Sequence, residues 1–545
     1  MWPQPYTPVG HNLALSALFA AIPVFVLVLL LGVRRAPAWV ASLAGAASAA
    51  IVAVAVYRMP LRLALSAAGY GAAFGLFPIG WVVFTAILLF RYIEAAGKFD
   101  LIKDSVGNLS ADRRIQALLI AFAFGAFIEG AAGFGTPVAV AAAMVVGVGF
   151  SPFYAAALCL LANTAPVAFG SIATPILVLA GTTGLPLHPL SAMIGRLCAP
   201  ISLLLPSYLM YVMGRGRALR GVWPAAVACG AAFAATQFCV SNFVGPQLTD
   251  ILSSLAAIGV VVLISRFWTP RDDFALAGEH EAHPAVSERR LHPLGEVLRA
   301  WSPYALLVLF VLLWGVSRIK AHLDALSISF VWPGLHNLVL KMPPVASSAA
   351  PYAAVYTWSW LSAPGTACLF AAVLGALLML RMRPREIVRV AARTAQQLLH
   401  AEITIAAVLA LAFLMNYSGA SATLGLAFAS TGRFFPFFSP LLGWLGVFLT
   451  GSDTSANALF GNLQVVTAMR LHLSPVLMAA ANSSGGVMGK MISLQSIAIA
   501  AAATGLGAAD ESRLFRFVLR HSLLLAAIMG LLTLFFADMA PRLVP

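Results

Sequence analysis

Two stretches of this chain set acidic, hydroxyl and amide side chains among glycines inside otherwise apolar, membrane-length segments: Phe127-Ile-Glu-Gly-Ala-Ala-Gly-Phe-Gly-Thr-Pro137 and Leu449-Thr-Gly-Ser-Asp-Thr-Ser-Ala-Asn457. A carboxylate at bilayer depth costs roughly 2.5–3.5 kcal/mol on insertion scales. Glu129 and Asp453 therefore need a compensating environment, and they are the first candidates for ion or proton handling. Their neighbours supply one. Glycine and proline interrupt the helix, and freed backbone groups are tolerated at that depth only where they are buried in protein or line a water-filled cavity. Both segments read as broken helices around a solute site.

The elements that position them are membrane helices. A chain of 545 residues with 61% hydrophobic and 10% charged residues and a mean hydropathy of +0.92 is excluded as a soluble domain. Apolar runs of about twenty residues recur while alternating segments of about ten do not, which implies helices and excludes a membrane β-barrel. Roughly twelve to fourteen spans are expected. The run Leu13 to Val33 follows no basic region and precedes no small-residue cleavage site, so it is expected to persist as the first helix. The net charge of +14 resides in short connections such as Arg34-Arg35, Arg215/Arg217/Arg220, Arg381/Arg383/Arg385 and Arg513/Arg516/Arg520. That is positive-inside topology, and it removes the reason to invoke nucleic acid. Cys159, Cys198, Cys229, Cys239 and Cys368 lie in apolar stretches with no CxxC pair and read as small core residues.

With Arg215–Arg220 placed inside, two helices return the chain to a hydrophilic linker, 269–300, and a third leaves 321–362 outside. That outer loop is poor in basic residues and carries Trp332, Trp358 and Trp360, which suit an interfacial aromatic belt. The linker divides an N-terminal membrane half, 1–268, from a C-terminal one, 301–545. Its His280, His283 and His292 read as part of a solvated connection, with metal binding the lesser alternative. The halves resemble each other. Each runs broken acidic segment, Ser-Pro turn (Ser151-Pro152, Ser474-Pro475), then a helix with asparagine, aligning Asn163 with Asn482. The loop before the first copy, 98–114, is expected inside and that before the second, 418–436, outside, so the copies form an inverted repeat with a midplane site. The fold class expected is an all-α integral membrane protein of two inverted repeats with discontinuous helices near the midplane.

The residues Phe124-Gly-Ala-Phe-Ile-Glu-Gly-Ala-Ala-Gly-Phe-Gly-Thr-Pro137, Leu160-Leu-Ala-Asn-Thr-Ala-Pro-Val-Ala-Phe-Gly170, Asn416-Tyr-Ser-Gly419, Gly443-Trp-Leu-Gly-Val-Phe-Leu-Thr-Gly-Ser-Asp-Thr-Ser-Ala-Asn457 and Gly486-Val-Met-Gly-Lys-Met-Ile-Ser493 resemble the lactate permeases. The similarity runs from Tyr6-Thr-Pro-Val-Gly10 to the C-terminal helix and departs at Leu494, where the family pattern has proline. The resemblance implies a bacterial inner-membrane, multi-pass symporter of protons with L-lactate, D-lactate or glycolate, surrounded by membrane lipid.

A 2-hydroxycarboxylate needs a cation or several N–H donors for its carboxylate and a donor and acceptor for its hydroxyl. Lys490 is the cationic candidate, snorkelling to the interface being its alternative. Asn163 and Asn482 could bond the solute from two sides or simply join helices. Ser452, Thr454, Thr136, Ser483, Ser484 and Ser493 offer hydroxyls, although small residues also serve close helix packing. Proton coupling needs a group that changes protonation between the two faces, and Glu129 and Asp453 are the candidates, with His400 and Glu402 behind them as interfacial groups. Substrate on Lys490 would compete with a carboxylate for that charge.

Ser484-Gly-Gly-Val-Met-Gly-Lys-Met491 lacks the first glycine and the Mg²⁺-binding hydroxyl of a phosphate loop, and Gly130-Ala-Ala-Gly-Phe-Gly135 has the wrong spacing for a dinucleotide fingerprint. No nucleotide, other cofactor or resident metal is implied. An intramembrane enzyme would need a nucleophile with a base, or a His-Glu-x-x-His site, and neither stands in the spans. Sodium coupling through Asp453 and Thr454 is the alternative to protons, and a carboxylate channel is the more distant one.

Overall fold

The computed structural model describes all residues except 108, 111, 134, 271, 273 and 275–291, and of Ala508 and Ala509 the backbone only. Among the described residues eleven helices are long and apolar enough to cross a membrane, or twelve when Pro152–Ala162 and Val167–Thr183, bent by 65°, count as one span. The helix Leu187–Phe243 runs 57 residues but breaks at Gly214 and Arg215, where Arg215 takes φ 52° and ψ −149°. At about 1.5 Å per residue it exceeds twice a hydrocarbon core of about 30 Å, so it makes two crossings. The chain is a multi-pass membrane protein. His292 lies in the described part of the linker, where its Nε2 meets Asp104 Oδ2 at 2.9 Å; His280 and His283 lie outside the described residues.

Ten helices concern the site. In the first half they are α1 (Gly125–Ala131), α2 (Thr136–Gly147), α3 (Pro152–Ala162), α4 (Gly170–Thr183) and α5 (Thr249–Phe267). In the second they are α6 (Pro384–Ser418), α7 (Phe435–Thr450), α8 (Asp453–Arg470), α9 (Pro475–Lys490) and α10 (Leu494–Thr504). The same order, helix, glycine break, helix, Ser-Pro turn, helix, break, helix, describes α1 to α4 and α7 to α10. The local causes are those read from sequence. Gly133 (φ 61°) and Gly451 (φ 72°) take the left-handed conformation that stops a helix. Pro152 and Pro475 occupy the first turns of α3 and α9, where a missing N–H costs nothing. Ser474 and Ser493 cap α9 and α10 by accepting from Leu477 N at 3.3 Å and Ser496 N at 3.2 Å.

One detail departs from the aligned sequences. Asn163 is the residue that caps the end of α3, whereas Asn482 lies inside α9 and Lys490 ends that helix. The two asparagines do not occupy equivalent places in their helices.

The segment 321–362 is not wholly irregular. Ile328–Val331 pairs antiparallel with Val355–Trp358, and Val339–Lys341 pairs parallel with Trp2–Pro3 and antiparallel with Ala350–Pro351. These small sheets close over the end of α6: Tyr417 OH donates to Ala353 O at 2.7 Å, and the Tyr417 and Tyr352 rings stack with centroids 4.1 Å apart. Trp332 is drawn into this cap, its Nε1 donating to Ser66 O at 3.1 Å, while Trp358 and Trp360 stay exposed.

Helices α7 and α9 pack backbone against backbone, and glycine makes it possible. A Cβ at Gly443 would run into the carbonyl of Asn482, and one at Gly485 would stand 2.5 Å from Pro440 Cα. Backbone approach of this kind is how small residues join membrane helices. Gly485→Val is therefore expected to lose most folded protein, read as aggregated material on size exclusion after detergent extraction. A monodisperse Gly485→Val protein with wild-type yield would show that α7 and α9 can separate at no cost.

Candidate functional site

Glu129 sits one turn before the break that separates α1 from α2 and is buried. Asn163 Nδ2 donates to its Oε2 at 2.9 Å. Gly170 at the start of α4 leaves room for the carboxyl, since a Cβ there would lie 2.5 Å from Glu129 Oε1. The turn that follows is unusual: Ser171, Ile172 and Ala173 all have positive φ, of 46°, 55° and 61°. Left-handed geometry costs about 1–2 kcal/mol per non-glycine residue. It is held in part by Ser171 Oγ donating to Ala132 O at 2.9 Å, which ties the two breaks of this half together.

Asp453 opens α8, directly after the Gly451 break, and is also buried. Ser483 Oγ donates to its Oδ2 at 2.6 Å and Asn457 Nδ2 at 3.3 Å. Behind them Asn482 Nδ2 donates to Asn457 Oδ1 at 2.9 Å, and Gln464 Nε2 to Asn482 Oδ1 at 3.2 Å. Asn457 also reaches the other half, donating to Pro175 O of α4 at 3.1 Å. Asn457→Ala unpairs several buried groups at once, at about 1–3 kcal/mol each before relaxation. It is expected to lower the melting temperature of the detergent-solubilised protein; an unchanged value would mean that water replaces the amide without loss.

Lys490, half-buried at the end of α9, donates from Nζ to Gly451 O at 2.6 Å. That uses one of three ammonium hydrogens. Lys490, Glu129 and Asp453 line a single cavity of about 160 Å³, together with Ser452, Thr454, Ser455, Ser171, Thr450 and Thr404. At about 10–15 Å³ per water position, it holds a small carboxylate with part of its hydration shell. Its apolar wall comes from Val167, Ile405, Val408 and Leu409. Asp453, Thr454 and Ser455 of the first turn of α8 line this space, with Ser455 N–H bonded to the capping Ser452 Oγ at 3.2 Å, and the positive end of the helix favours an anion there. A wider cavity of about 990 Å³ shares Ala38, Thr450, Gly451 and Gln495 with it and adds Arg35, Arg516 and Glu511, so the site adjoins a cavity on the arginine-rich face.

Of the expected residues, Lys490, Glu129, Asp453, Ser452 and Thr454 come together on the cavity wall. Asn163, Asn482 and Ser483 stand one layer behind, bonded to the two acids or to the network supporting them. Thr136 begins α2 off the wall, and Ser493 is the cap of α10. Sequence reasoning did not single out Gln464, Asn457, Ser171 or Gln495 as parts of the site. It also passed over Asp250, which lies in the first turn of α5 and is fully buried. A carboxylate inside an apolar run was the signal available for Asp250, the same one that marked Glu129. Glu402 on α6 is half-buried, and its Oε1 meets no partner. The neighbouring Ala401 lines the cavity.

Residues 16–540 match the family model described as L-lactate permease. The chain is 45% identical over 551 residues to the L-lactate permease of Bacillus subtilis (strain 168), covering 98% of each protein. It is 44% identical over 548 residues to Glycolate permease GlcA of Escherichia coli (strain K12), covering 98% of this chain and 97% of that protein. Among solved structures, Neisseria gonorrhoeae MtrF aligns at 14% identity with a TM-score of 0.47, over 88% of this chain and 83% of that one. A likeness of that degree adds nothing to the assignment.

Proposed function

Since the chain belongs to the L-lactate permease family, we propose that it is a secondary transporter importing L-lactate, D-lactate and glycolate by proton symport across a bacterial inner membrane. The observation that carries the reading is the shared cavity, in which Lys490, Glu129, Asp453 and the first turn of α8 face one space. A lactate carboxylate fits between the Lys490 ammonium and the α8 N–H groups, its hydroxyl meets Ser452 or Thr454, and its methyl meets the Val408 and Leu409 wall. The bound anion competes with Glu129 and Asp453 for Lys490, so an acid that loses its cation takes a proton. That links substrate and proton in one step.

In the same reading the α1–α4 and α7–α10 units are oppositely oriented copies, the linker 269–300 joins the halves, and alternating access moves one unit against the other. With Arg35 and Arg516 taken as cytoplasmic on the positive-inside rule, the wider cavity they line makes this conformer inward-facing. The test is labelled L-lactate counterflow in proteoliposomes, with D-lactate and glycolate as competitors. Saturable counterflow inhibited by both supports a carrier for 2-hydroxy acids. Non-saturable flux would indicate a channel, and inhibition by neither competitor would narrow the substrate to L-lactate.

A further inference from the structure

Asp250 is the described carboxyl whose two oxygens both lie buried with no hydrogen-bond partner. Its side chain is 1% exposed, and among the described residues no basic group pairs with it. Glu129 has a donor in Asn163, and Asp453 has donors in Ser483 and Asn457; among the described residues Asp250 has no such donor. The positive end of α5 favours a charge there by at most about 2 kcal/mol, whereas burying an unpaired carboxylate costs several times more. A carboxyl so placed is accommodated as the neutral acid, with its proton on it.

Its position relates it to the site. Gly130, the residue after Glu129, is where α1 meets the start of α5: a Cβ there would stand 2.7 Å from Asp250 Cβ and 3.1 Å from Ile251 N. The titratable groups facing Asp250 from the helices packed on α5 are Glu129 of α1 and Cys198 of the Leu187–Phe243 helix. Asp250 itself is off the cavity wall.

We propose that Asp250 is a proton-binding residue of the transport cycle, taking the symported proton from Glu129 beside it and holding it while the substrate anion occupies the neighbouring cavity. One proton on Asp250 balances one carboxylate on Lys490, so the loaded carrier moves no net charge through this pair. The inference rests on the proton-symport reading above. It differs from a packing role for Asp250, in which the carboxyl merely starts α5.

The experiment compares wild type with Asp250→Asn in proteoliposomes, measuring L-lactate counterflow at equal pH, accumulation under a gradient, and proton co-uptake with an internal pH dye. At one proton per lactate, a gradient of about one pH unit supports about tenfold accumulation. Asp250→Asn is expected to keep counterflow, fall to an accumulation ratio of about one and lose proton co-uptake. Accumulation and a proton-to-lactate ratio equal to wild type would overturn the proposal. Should asparagine also abolish counterflow, Asp250→Glu decides. Coupled uptake restored by glutamate supports the requirement for an acid, and none restored in a protein of wild-type melting temperature overturns it. Wild type that shows net lactate uptake with no accompanying proton uptake would overturn the symport reading itself, which is a separate result seen before any variant is made.

Discussion

Lys490→Ala is expected to abolish L-lactate uptake in proteoliposomes, by about 10²–10³-fold, while the protein still inserts and elutes as wild type. Removing one partner of a hydrogen-bonded charge pair, here the ammonium that would meet the bound carboxylate, costs about 2–5 kcal/mol, and every 1.4 kcal/mol or so is tenfold in binding. Among the described residues Lys490 is the only lysine or arginine on the cavity wall, which also holds Glu129 and Asp453, so alanine leaves the substrate carboxylate facing two acids with no cation. Lys490→Arg is not expected to restore uptake. The ammonium fits as a point charge on Gly451 O at 2.6 Å, whereas a planar guanidinium demands a different donor geometry. Uptake by Lys490→Ala within about twofold of wild type, less than 1 kcal/mol, would take Lys490 out of the binding site.

The second large effect concerns the acids. Glu129→Gln and Asp453→Asn preserve shape and can keep their acceptor bonds to Asn163 and to Ser483, yet an amide cannot carry the proton. Each is expected to lose pH-driven accumulation, so that internal lactate merely reaches the external level, the loss of about tenfold per pH unit at one proton per lactate. Counterflow in the same vesicles reports whether the cavity still binds. Full accumulation in both variants would remove these residues from the proton path.

Much of this was legible in the chain. Glycine and proline at membrane depth announced the helix breaks, and a lone acid beside each break announced the cavity, because apolar surroundings make an ionisable group costly without a purpose. The Ser-Pro turns fixed where α3 and α9 begin. What could not be read was which side of a helix faces the cavity. Ser483 and Ser452 are both small hydroxyl residues near Asp453, but one supports the acid from behind and the other lines the wall. Nor does spacing reveal contacts between halves, such as Asn457 to Pro175 O, or the left-handed turn at Ser171, where residues that ordinarily avoid that geometry are held by tertiary bonds. The sheets of the segment 321–362 escaped because strands as short as Val339–Lys341 are set by their partners and carry little pattern of their own.

The central claim is that this cavity binds a hydroxy acid anion and couples it to protons. Its most direct test is uptake of labelled L-lactate into proteoliposomes of purified protein under an imposed pH gradient in sodium-free buffer. Accumulation above the external level that a protonophore collapses is the result expected. Uptake that appears only with a sodium gradient, or no uptake under either gradient, would contradict it.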